Sequence, residues 1–141
     1  MALPALLTLL AAFAQVILTL WAIVQMGLAR LRAIKAKVVD VGEIAIDDRS
    51  WPDPIKLLQA NVRNQFETPV ILFAGVGTAL ALGVAGWGVA LFAWTYIATR
   101  IVHRAVHVGR NRLGSRFRAY VVGLLALAGL WVALIIGALT L

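Results

Sequence analysis

The charged side chains of this sequence are confined to two stretches, and the rest of the chain is bare of them. All 13 Lys and Arg fall within residues 30–63 and 100–118, and all six acids fall within 40–67. Residues 1–29, 68–99 and 119–141 carry no charged side chain. A hydrocarbon core about 30 Å thick takes about 20 apolar residues per helical span, so the first and last stretches each supply one span. The middle stretch is too long for one span and too short for two. A chain partitioned in this way is an integral membrane protein, consistent with only 13% charged residues against about 25% in soluble domains.

The middle stretch decides the topology. Glycines at 83, 86 and 88 mark a turn, because glycine adopts positive φ without steric cost. Each arm must then continue into its charged flank to cross the bilayer. The pattern predicts an all-α, single-domain four-helix transmembrane bundle with helices at roughly 3–31, 54–83, 87–112 and 116–140. The connections between helices 1 and 2 and between helices 3 and 4 hold the Lys and Arg, so both are expected to be cytoplasmic with the N- and C-termini outside. Ala11, Ala12 and Ala14 resemble a signal-peptide cleavage site, but no basic segment precedes them and the apolar run continues to Leu28. This start reads as an uncleaved span.

In the first connection, Val39, Val41, Ile44 and Ile46 lie among acids and suggest a short extended piece on the bundle mouth. Asp53-Pro54 reads as an N-cap followed by Pro at the first helical position. Pro69 predicts a kink in helix 2, since it removes a backbone donor. Two stripes of small or weakly polar residues stand out: Thr8, Ala12, Gln15, Thr19 and Ala22 on helix 1, and Ala126, Gly129, Ala133 and Gly137 on helix 4. Small residues let helices approach closely in lipid, either within one bundle or between subunits.

Polar residues gather at the basic end. On helix 2, Arg63 and Asn64 lie about 40° and 60° either side of Glu67 at helical spacing. Glu67 adjoins an apolar run and needs a cationic or hydrogen-bonding partner. Helix 3 offers Arg100, His103, Arg104, His107 and Asn111 within an arc of roughly 100°. Snorkelling accounts for Arg110 and Arg112, but less well for Arg100 beside His103 and Glu67. The cluster reads as an ion-pair and topology device, or as a binding site for an anionic ligand.

Several chemistries are set aside. The chain has no Cys, hence no thiolate nucleophile or disulfide. His103, His107 and Glu67 could chelate a metal, but the neighbouring arginines would repel a cation, so no metal is expected. Ser115 stands alone without a base, and the glycines at 83–88 lie on the far side of the membrane from the polar cluster. The net charge of +7 reads as topology and anionic-lipid contact; no nucleic acid is expected.

Taken together, Asn-Gln-Phe-Glu-Thr-Pro-Val-Ile-Leu-Phe at 64–73 and Arg100-x-x-His103-x-x-x-His107-x-x-x-Asn111-Arg112 resemble the MAPEG family, membrane-associated proteins in eicosanoid and glutathione metabolism, and in particular its bacterial branch. The resemblance implies a homotrimer in the bacterial inner membrane, with glutathione bound between subunits near the cytosolic face. It implies that Asn64, Glu67 and Arg100, with Arg63 beside them, hold the cofactor. Two departures matter: Ala60 stands where glutathione-using members carry an Arg, and His103 and His107 stand where they carry Tyr. Thiolate activation would then fall to Arg104, His103 or His107. The function so implied is a glutathione (or other thiol) transferase or peroxidase acting on lipophilic electrophiles that enter from the bilayer. The alternative is a non-catalytic oligomer whose basic cytoplasmic mouth binds lipid headgroups or a partner protein.

Overall fold

A computed structural model describes residues 1–140, and their regular elements are all helical. In order they are α1 (Leu3–Lys35), α2 (Val41–Ile46), a 3-10 turn (Asp48–Ser50), α3 (Asp53–Asn64), α4 (Pro69–Ala81), α5 (Trp87–Val108) and α6 (Leu113–Leu139). Two of these, α1 and α6, are long and apolar enough to cross a membrane. Pro4 in the first turn of α1 suits a helix start, where no N–H partner is needed. Arg32 and Lys35 in its last turn complement the helix dipole.

The helices pack around a core of small and branched residues, including Ala11, Leu72, Val76, Ala79, Ala93, Ile97, Ala126 and Leu130. α5 and α6 make the most extensive contact, while α1 lies against α3, α4 and α5. Lipid is as apolar as leucine, so close approach rather than water exclusion holds such helices together. A Cβ on Gly129 would sit 2.6 Å from the Phe92 ring, and one on Gly75 would sit 2.5 Å from Leu130. Both small-residue stripes therefore pack inside the chain: Thr8, Ala12, Gln15 and Ala22 are buried, and Gly137 meets Val84 across the bundle. The outward faces carry exposed Phe13, Ile17, Leu125 and Ile136.

Helix 2 is not continuous. α3 ends at Asn64, a turn covers residues 65–68, and α4 starts at Pro69. Pro69 has no N–H to bond the Gln65 carbonyl, so the expected kink becomes a full break. Side chains from both neighbours hold the turn in place. Gln15 Nε2 of α1 donates to Gln65 Oε1 at 3.0 Å, and the Thr68 and Tyr96 hydroxyls are 2.8 Å apart.

The connection after α1 also departs from expectation. Residues 41–46 form the helix α2 rather than an extended piece, because Asp40 Oδ1 accepts from the backbone N–H groups of Gly42 (2.7 Å) and Glu43 (3.1 Å). Pro52, not Asp53, is the N-cap of α3. Trp51 and Ile55 pack with Ala33 into a small second core, with Val39 and Ile44 against it. Arg30 sits 4.9 Å above the Trp51 ring and pairs with Asp48 at 3.4 Å.

The helix ends follow their caps. Gly83 (φ 71°) ends α4, with Val84 N–H bonded back to the Ala79 carbonyl. Lys37 takes the same left-handed conformation (φ 55°) after α1 without glycine's freedom. Asn111 (φ 44°) donates its N–H to the Val106 carbonyl, and α5 ends at Val108, four residues before the position expected from sequence.

Candidate functional site

The break in helix 2 opens the bundle at its basic end. There the last turn of α3, the 65–68 turn, the second half of α5 and the start of α6 enclose a cleft of about 250 Å³ lined by Asn64, Glu67, His103, Leu113, Arg116, Phe117 and Tyr120. Asn64 Nδ2 lies 3.4 Å from His107 Nδ1. The His103 and His107 rings meet edge to face, their centroids 5.6 Å apart, and the Tyr120 ring is 6.3 Å from His103. His103 and His107 are both buried.

Arg100 stands behind Asn64. Its Nη2 donates to the Asn64 main-chain carbonyl at 2.7 Å. That carbonyl lies at the C-terminal end of a helix, where cations are favoured, and the turn gives it no backbone donor. The side chain is 3% exposed, so Arg100 ties α5 to the end of α3 rather than reaching openly into the cleft.

Two residues expected at the site face elsewhere. Arg63 is exposed and borders a different surface hollow with Asp48, Lys56 and Gln59. Its angular relation to Glu67 assumed one unbroken helix, and the break removes that assumption. Arg104 turns toward α1 and α3, donating to Asn61 Oδ1 and Gln25 Oε1 and lying 4.3 Å from the Trp21 ring. Glu67 lines the cleft but is exposed and unpaired. The ion pairs among the described residues are Arg30–Asp48 and Lys56–Asp53.

Four lining groups come from α6 and were missed in the sequence: Leu113, Arg116, Phe117 and Tyr120. The signal was present. A short connection folds α6 back along α5, so residues equally distant from the turn near 110 become neighbours. That places 116–120 opposite 101–105. Arg116 Nη1 donates to Asn111 Oδ1 at 2.9 Å and keeps further N–H donors free.

A cleft built on the helix 2 element of 64–69 and the α5 polar face is the arrangement whose residues carried the resemblance. Compared with known families, residues 8–136 match the model of the MAPEG family. The chain belongs to the MAPEG family. No curated protein and no solved structure matches it. Membership makes this a membrane protein of a family that includes glutathione transferases and related proteins. The departures from the glutathione-using MAPEG pattern stand in the structure. Ala60 offers no cation, and the tyrosine ring packed beside His103 comes from α6 as Tyr120.

Proposed function

We propose that this MAPEG chain is a four-span bundle with both termini outside, assembled as a homotrimer in the bacterial inner membrane. Its cleft holds glutathione, or another anionic thiol, for reaction with lipophilic electrophiles as a transferase or peroxidase. One observation carries this reading: an unpaired carboxylate, a guanidinium, an imidazole and a phenol converge on one cleft as Glu67, Arg116, His103 and Tyr120. A zwitterionic tripeptide thiol presents the complementary groups. Glu67 receives the ammonium, Arg116 pairs with a carboxylate and the Asn64 side chain bonds a peptide group. His103 accepts the thiol proton, and the Tyr120 hydroxyl donates to the sulfur so that the thiolate is favoured.

The size of the cleft supports the trimer. At about 250 Å³ it falls below the roughly 300–1,000 Å³ usual for small-molecule sites, so a second subunit would supply the remaining wall. Leu113 and Phe117, 68% and 63% exposed at the rim, give lipophilic substrates an apolar approach from the bilayer.

Calorimetric titration of glutathione and of S-hexylglutathione into the detergent-solubilised oligomer tests the reading. Saturable heat near one site per subunit is expected, and Glu67→Gln should weaken it roughly tenfold, the loss of one charge-assisted bond. No heat from a folded oligomer would reject the thiol. The engagement of Arg100 and Arg104 within the chain favours the second reading, a non-catalytic oligomer binding lipid headgroups or a partner protein. That reading would then stand.

A further inference from the structure

Arg104 is a buried cation without a counter-charge. It is 2% exposed, and neither ion pair found among the described residues involves it. Its two chain partners, Asn61 and Gln25, are neutral amides, and its Nε has no partner. A guanidinium carries five N–H donors, so most of its capacity is unused. Enclosing a charge in this way is costly unless an opposite charge meets it.

Beside Arg104 lies a cleft of about 230 Å³ whose walls include Trp21, Gln25 and Ile101. A second groove of about 360 Å³ between α1 and α5 adjoins it, with Trp21 and Ile101 walling both. The groove adds Ile17, Ile97 and Trp94, and no charged side chain lines it. Trp94 forms its inner end, with the indole N–H bonded to the Leu7 carbonyl at 3.0 Å. From Trp94 to Arg104 the path along α5 is about 15 Å at the helical rise. The charged end lies one turn from the basic end of α5, and the apolar end lies toward its middle.

We propose that this α1–α5 groove binds an anionic phospholipid of the surrounding leaflet. The phosphate meets Arg104 and the Gln25 amide, and one acyl chain lies along Ile101 and Ile97 toward Trp94. Charge complementarity selects the occupant, because a headgroup at the basic surface with its chain directed inward is how a lipid of that leaflet already lies. The site is on the side of α5 away from the His103 cleft. It rests on the bilayer placement proposed above and not on the thiol.

Tryptophan quenching tests it. The oligomer is reconstituted in phosphatidylcholine vesicles holding a minor fraction of chain-brominated phosphatidylglycerol or, in parallel, chain-brominated phosphatidylcholine. Phosphatidylglycerol should quench with an apparent preference of about tenfold, as one charge-assisted contact gives. Trp94→Phe should remove much of that excess, Arg104→Gln should abolish it, and Arg112→Gln should retain it. If Arg104→Gln does not assemble, Ile101→Phe narrows the groove at an exposed position and should abolish the excess in its place.

Equal quenching by the two lipids would overturn the proposal. So would a preference that survives Arg104→Gln or Ile101→Phe but disappears in Arg112→Gln, which marks a diffuse surface field. A Trp94 contribution absent with both lipids would also overturn it, because a second copy of the chain then fills the groove. Failure of every tryptophan to be quenched would reject the bilayer placement itself. Glutathione heat on the same preparation reports separately on the thiol site.

Discussion

Arg100 donates to a carbonyl that the turn before Pro69 leaves without a backbone donor. Removing the guanidinium strands that group, at a cost of about 1–3 kcal/mol. Arg100→Ala is therefore expected to lower the melting temperature and to loosen the oligomer on gel filtration in detergent, whether or not ligand is present. A purely ligand-binding arginine would leave both unchanged. Lys37 presents the opposite case. Its left-handed φ of 55° suits glycine, and Lys37→Gly should raise stability by roughly 0.5–1 kcal/mol, read as a higher melting temperature. The polar face of α5 was legible as a stripe, but the destinations of its side chains were not. An arc of about 100° on a helix faces two neighbours at once, and Arg104 sits at the edge that turns to α1. Only packing separates it from His103.

At the scale of elements, the two charge-free ends matched the two helices apolar enough to cross a membrane, α1 and α6. The middle of the chain was harder to read. Proline signals a disturbance, but whether a helix bends or breaks depends on what receives the freed groups. Here Gln15, Tyr96 and Arg100 all reach the turn from other helices, and such contacts are invisible at local spacing. α2 was misread for a related reason: alternating apolar residues suggested an extended piece, yet Asp40 caps a helix start. The packing of α6 yields a further expectation. Gly129→Leu drives a side chain into Phe92 and should cost about 1–3 kcal/mol by overpacking, with lower yield of the oligomer from detergent extracts. Ala128→Leu at the adjacent exposed position should have little effect.

At the scale of the molecule, all 13 basic side chains lie in two segments, and the α5–α6 hairpin brings the second of these to the cleft. If both segments face the cytoplasm, a cysteine at Gly86 should react with an impermeant maleimide in intact cells. One at Arg112 should react only after the membrane is opened. The chain has no cysteine of its own, so the background is clean. Reversed labelling would invert the topology and move the cleft to the other compartment. Membership of the family was legible from the helix 2 and α5 elements alone. The α6 wall of the cleft carries no motif and was legible only by pairing residues across the α5–α6 fold-back, which is how Arg116 and Tyr120 enter.

The small core of Ala33, Trp51 and Ile55 lies apart from the main one, beyond the break at 65–68. Proteins open in parts, and segments with few buried contacts open at the least free energy. Amide deuteration should therefore spread from α2 and α3 well before it touches α5, which anchors Val89, Ala93, Tyr96 and Ile97 in the main core. The cleft would then have one wall that breathes and one that stands still. A bound molecule would come and go past α3 while the histidines of α5 keep their places.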